Sequence, residues 1–141
     1  MKIAITFLFS LICMSAVAQK FALIDESMAR PITYTDQVTV SDRGMIPVEK
    51  ERLPEFIKAL EEISARLSAK QKMGNPKEYK IGCTRFTGTS INLLRGDRLD
   101  YVIQSDCGPT PVTMHLSNSK RSNTSNAYFI NTWIKYIRSS L

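Results

Sequence analysis

His115 is the only histidine of the 141-residue chain, so any mechanism that needs an imidazole has to use it. Val112, Met114 and Leu116 alternate with it and predict the inner face of a strand, which places His115 on the outer face. A catalytic base needs a nucleophile and a group that orients it. Because the sequence assigns neither to His115, it favours an ordinary surface histidine over a catalytic one.

Three aspartates, Asp97, Asp100 and Asp106, could bring carboxylates together across a hairpin, as glycoside hydrolysis requires. Asp97, however, lies in a turn sequence in which aspartate is favoured for local hydrogen bonding. Asp100 and Asp106 alternate onto the outer face of a predicted strand. Solvated carboxylates are therefore favoured, and a small hydrolase that uses His115 with one of these aspartates is the alternative.

Arg95 and Asp97 flank Gly96 in the tripeptide that integrins recognise in adhesive proteins. A hairpin tip would display these two charged side chains. A turn that requires glycine and aspartate between two strands produces the same triplet without any adhesive role. Arg95 and Asp97 are therefore weak candidates for a binding site.

Cys83 and Cys107 are an even pair of cysteines once Cys13, which lies in the N-terminal leader described next, is set aside. Strand alternation places Cys83 on one face with Ile81, and Cys107 on one face of a later strand with Ile103. Redox pairs usually lie two residues apart, and a zinc site needs four ligands. The pair therefore predicts one structural disulfide, and the sequence indicates neither a metal site nor a cofactor.

Residues 1–18 have the three parts of a secretory signal peptide. Lys2 supplies the positive start, an apolar run from Ile3 to Ile12 follows, and Ala16-Val17-Ala18 forms a small-residue cleavage site. The apolar run is too short for a bilayer, which needs roughly 20 residues. We therefore expect cleavage before Gln19, a single domain over 19–141, a periplasmic or extracellular location, and no membrane span after cleavage.

Basic residues exceed acidic residues by 19 to 13, and the leader removes only Lys2 from this excess. A positive balance favours anionic partners such as an acidic protein or an anionic envelope polymer, although solubility alone also explains it. Lys120 and Arg121 lie in a polar connecting segment that could contact such a partner. Basic and aromatic residues also alternate around Tyr79 and Tyr101, but these tyrosines fall on the inner strand faces, and export removes most nucleic-acid partners.

Two helices and several strands are predicted by periodicity. One apolar stripe at helical spacing begins at Leu53 and ends at Leu67, and a second occupies 124–139. Alternating runs predict strands over 32–40, 45–48, 78–87, 90–94, 99–106 and 111–117, with turns at residues 88–89, 95–97 and 108–111. Residues 19–31 show no clear period.

The order of these elements predicts an α+β domain with an antiparallel β-sheet, two amphipathic helices packed on one face and one disulfide. Compact size, a disulfide and no assembled active site favour a small exported, non-catalytic binding protein. It would act by protein–protein contact, as an inhibitor, an immunity-type protector or an accessory subunit.

Overall fold

The computed structural model describes residues 19–69, 76–91, 98–117 and 120–141. The predicted leader and the candidates Arg95 and Asp97 lie outside these ranges. The elements are β1 (Phe21–Asp25), β2 (Thr33–Thr35), β3 (Met45–Glu49), a 3-10 turn (Lys50–Arg52), α1 (Leu53–Ser68), β4 (Tyr79–Ile81), β5 (Thr84–Ile91), β6 (Arg98–Ser105), β7 (Val112–His115) and α2 (Asn123–Ser139).

These elements form an α+β fold of antiparallel strands and two helices, as the sequence predicts, and the strands divide between two sheets where the sequence indicated one. The three-stranded sheet has the order β2-β1-β3, and the four-stranded sheet has the order β4-β5-β6-β7. The sheets meet where Ser105 Oγ of β6 donates a hydrogen bond to the Pro47 carbonyl of β3. Neither helix in the described ranges has the length and apolar composition that crossing a bilayer requires.

The core lies between the helices and the inner faces of both sheets. Its largest fully buried side chains are Trp133, Tyr101, Phe56 and Phe86. Phe56 of α1 packs against both Phe86 of β5 and Trp133 of α2, at ring-centroid distances of 5.1 and 5.8 Å. Both predicted apolar stripes are buried here, so the helices pack on the same side of the fold.

Strand β1 is the main element that periodicity misses. Ala22, Leu23, Ile24 and Asp25 are all buried, since one face contacts the main core and Leu23 contacts a small second cluster with Val38 and Met45. A strand that is buried on both faces shows no alternation. The predicted strand over 32–40 is correspondingly too long, because only Thr33–Thr35 pairs, at the edge of the sheet.

The predicted strand over 78–87 is two strands. Gly82 and Cys83 form the turn between β4 and β5, and Gly82 has a φ of 58°, which favours glycine. The turn predicted at Gly88-Thr89 is also wrong, because β5 continues through it. At Gly88 a Cβ atom would lie 2.7 Å from the Tyr101 ring, so glycine leaves room for that side chain.

The predicted disulfide joins Cys83 to Cys107, with 5.1 Å between their Cα atoms. Cys83 lies in the β4–β5 turn and Cys107 follows the end of β6, where the Asp106 amide donates to the Cys83 carbonyl. The two sulfurs therefore close the end of the β5–β6 ladder rather than linking strand faces. Such a bond is compatible with an exported protein.

Asp25 is a buried carboxylate at the end of β1. Its side chain accepts hydrogen bonds from the backbone amide and hydroxyl of Ser27, and it forms an ion pair with Arg30 at 3.2 Å. Burial alone would raise the pKa of Asp25, but these donors outweigh burial and hold the pKa below its ordinary value. The charged form is thus the one that the fold favours.

We expect Asp25→Asn to lower the free energy of unfolding by about 2 kcal/mol at pH 7, because bonds to a charged acceptor are lost. A lowered carboxyl pKa contributes stability above the unfolded-state pKa, and this contribution is lost as the pH falls through the folded-state value. The difference between variant and wild type should therefore shrink below about pH 4. Urea unfolding at several pH values tests this, with exposed Asp36→Asn as control, and a difference that does not change with pH would contradict it.

Candidate functional site

The four-stranded sheet has one face that the helices do not cover, which we call the open face. Its side chains come from β4 to β7 and are half-buried or exposed: Lys80, Arg85, Gln104 and Thr113 in one row, Thr87, Val102 and His115 in the next, then Thr89 and Asp100. No element in the described part of the chain packs over them. The open face is therefore a broad polar surface with Val102 near its middle.

Two cations lie directly opposite each other on this face. The β4–β5 hairpin places Lys80 in register with Arg85, and both are exposed. Like charges opposite each other in a ladder destabilise it. Among the described residues, no carboxylate lies within ion-pair distance of either side chain. This arrangement leaves two like charges without a described acidic partner, which suits an anionic group from outside.

His115 and Asp100 are brought together on the same face. The Nδ1 atom of His115 lies 4.0 Å from Oδ1 of Asp100, and the imidazole is 68% exposed while the carboxylate is 24% exposed. Strand alternation predicts both side chains on outer faces, but it does not predict their contact. A carboxylate beside an imidazole is the arrangement that orients a catalytic base.

Among the described residues, no hydroxyl is hydrogen-bonded to the His115 imidazole, so no nucleophile is assigned to this pair. The Ser117 hydroxyl donates to Asp100 Oδ1 at 3.5 Å, but Ser117 is 2% exposed. Its oxygen accepts from the Tyr101 amide and lies 3.1 Å from the Leu99 carbonyl, which ties the chain after β7 to β6. In a catalytic triad the nucleophile contacts the histidine, and the histidine contacts the carboxylate. Ser117 contacts the aspartate instead, so these three residues do not form a triad.

The remaining candidates are dispersed. Asp106 is exposed at the far end of β6, where its amide contacts the β4–β5 turn. Lys120 and Arg121 are exposed in the segment before α2. Ser122 caps the N-terminus of α2, since its hydroxyl accepts from the Ser125 amide.

Tyr79 and Glu62 form a further pair of titratable groups, at the junction of β4 and α1. Tyr79 donates to Glu62 Oε2 at 2.9 Å, and Lys77 lies 3.5 Å from the same oxygen. Burial and this hydrogen bond raise the pKa of Tyr79 far above its ordinary value, and the same bond lowers the pKa of Glu62. Both groups therefore stay in fixed protonation states near neutral pH, and the pair is a structural tie.

The Lys80–Arg85 pair was not predictable from alternation, because alternation predicts one continuous strand through residues 78–87. The glycine at position 82, between two short alternating runs, was the signal of the hairpin that brings these cations together. Within the described ranges, no group of three or more His, Cys, Asp or Glu residues is placed to hold a metal ion. No family model, curated protein or solved structure matches this chain.

Proposed function

We propose that this chain is a small exported binding protein without catalytic activity, and that it recognises an acidic protein through the open face. The observation that carries the proposal is the unopposed pair of Lys80 and Arg85 on a sheet face that no described element covers. The predicted leader and the disulfide support an extracytoplasmic location. Inhibition, protection or service as an accessory subunit all fit such a protein.

A partner that presents carboxylates to Lys80 and Arg85 would relieve their mutual repulsion. Val102, in the next row of the same face, offers an apolar contact at the centre of the interface. Charged groups at an interface chiefly set specificity and association rate, whereas apolar contacts resist salt. Binding to a protein should therefore persist at moderate salt, and binding to an anionic polymer should be lost.

The test is capture from envelope extract and culture fluid with the oxidised protein as bait. Lys80→Glu/Arg85→Glu should weaken binding of the captured protein by roughly tenfold or more, since reversed charges at an interface cost more than 1.4 kcal/mol. Arg43→Glu/Lys135→Glu, two exposed charge reversals on other surfaces, is the matched control. Equal capture by both variants would refute the role of the open face.

The second candidate is a hydrolase, which the proximity of His115 and Asp100 favours. His115→Ala separates the two functions, because a hydrolase of this kind would lose its activity while a binding protein would keep its capture of the partner. Retained capture together with no hydrolysis of glycosides or esters by the wild-type protein would exclude the enzyme.

A further inference from the structure

A second surface lies where the start of α1 meets the end of α2, and we call it the helix groove. Tyr34, Lys50, Leu53, Ile57, Lys58 and Arg138 line it, and its volume is about 590 Å³. Sites for small molecules occupy roughly 300–1,000 Å³. Because the helices cover the opposite side of the sheet, this groove is separate from the open face and does not depend on the function proposed for it.

The floor of the groove is apolar. Leu53 and Ile57 lie one turn apart on α1 and are largely buried, with Pro54 beside them. This patch spans one turn of a single helix. A docked amphipathic helix would need a stripe of anchors over at least two turns. The floor therefore suits a single apolar chain rather than a helical partner.

The rim of the groove is cationic. Lys50 extends over the Tyr34 ring, with Nζ 4.9 Å from the ring centroid, and Lys58 is exposed on the first turns of α1. In the described ranges neither lysine has a carboxylate within ion-pair distance. Arg138 lies on the opposite wall, where it pairs with Glu61, the only acidic side chain among the described lining residues. The rim is thus complementary to an anionic group.

We propose that the helix groove binds an anionic single-chain amphiphile. The chain lies between the floor formed by Leu53 and Ile57 and the exposed Leu141 side chain, and its carboxylate or phosphate contacts Lys50 and Lys58. Glu61 opposes this binding, since it adds a negative charge to the lining and occupies Arg138. Removing the charge of Glu61 should raise the affinity for the amphiphile, whereas removing the charges of the lysines should lower it.

Calorimetry with the oxidised protein tests the proposal, with dodecanoate, dodecyl phosphate and dodecyltrimethylammonium, each below its micellar concentration. The anionic ligands should bind at least about tenfold more tightly than the cationic one, because the chain is the same and only the head charge differs. A preference for the carboxylate would indicate a free fatty acid, and a preference for the phosphate would indicate a phospholipid-type head group. Equal affinity for all three ligands would overturn the proposal.

Variants locate the site. Lys50→Glu/Lys58→Glu should weaken dodecanoate binding by about tenfold, and Glu61→Gln should strengthen it by about threefold, as expected for charges at a partly exposed rim. Arg43→Glu, an exposed charge reversal outside both proposed binding surfaces, is the control and should have no effect. Circular dichroism checks that each variant is folded. If the double variant fails to fold, Glu61→Gln still decides, because unchanged or weaker binding by it contradicts the assigned charge pattern.

Discussion

Loss of the Cys83–Cys107 disulfide should lower the free energy of unfolding by about 3 kcal/mol. The bond closes a loop between residues 24 positions apart, and a cross-link of this span restricts the unfolded chain by that amount in the chain-entropy model. The β5–β6 ladder and the Asp106 amide already hold the two ends together in the folded state. The folded structure should therefore persist without the bond, with its stability reduced.

Urea unfolding of the oxidised protein, the reduced protein and Cys83→Ser/Cys107→Ser measures this effect. Reduction and the double substitution should agree, because both remove the same cross-link. The double variant must also show no further loss on addition of reductant, which is the internal control. A loss below about 1 kcal/mol would mean that the unfolded chain is already compact around this hairpin.

Trp133→Ala should destabilise the fold by about 3–5 kcal/mol, the range for removing a large aromatic side chain from a core. Trp133 is fully buried on α2 and packs edge-on against Phe56 of α1, so truncation would leave a cavity between the helices and the sheet. We expect this substitution to be among the most damaging single changes in the described part of the chain.

Trp133→Phe separates the loss of ring packing from the loss of the indole N–H, and it is compared with Trp133→Ala. The indole Nε1 atom is buried and has no hydrogen-bond partner among the described residues, so phenylalanine removes an unsatisfied donor while it keeps most of the ring. The loss should then be below about 2 kcal/mol. Trp133 is the only tryptophan, so unfolding must be followed by far-UV circular dichroism. Equal losses in both variants would contradict this account.

The helices were predictable because their apolar stripes repeat at a period that only one face of a helix satisfies. Leu53 to Leu67 and Ala127 to Ile137 are buried along those stripes. Strand β1 was not predictable in this way, since its consecutive buried residues lack alternation. β1 is the central strand of its sheet, and both of its faces are covered. Its conformation therefore depends on this tertiary position rather than on a local sequence pattern.

The candidate sites depend on contacts that local pattern does not contain. The pairing of Lys80 with Arg85 follows from a two-residue turn at Gly82-Cys83. Alternation alone predicts a continuous strand through this turn. In the helix groove, Glu61 and Arg138 form an ion pair although they lie 77 positions apart in the sequence. Residue types were therefore visible in the sequence, while their juxtaposition required the fold.

The place of β1 in its sheet has a consequence for the newly made chain. β1 is the first strand of the described protein, yet its partners are β2 and β3, and the longer of these ends at Glu49. As the chain emerges N-terminus first, the apolar segment Phe21–Ile24 has two unpaired edges until those residues follow. Exposed apolar strands with free edges readily pair with other chains. Nascent molecules should accordingly need a holding chaperone from the emergence of Phe21–Ile24 until Met45–Glu49 has also emerged.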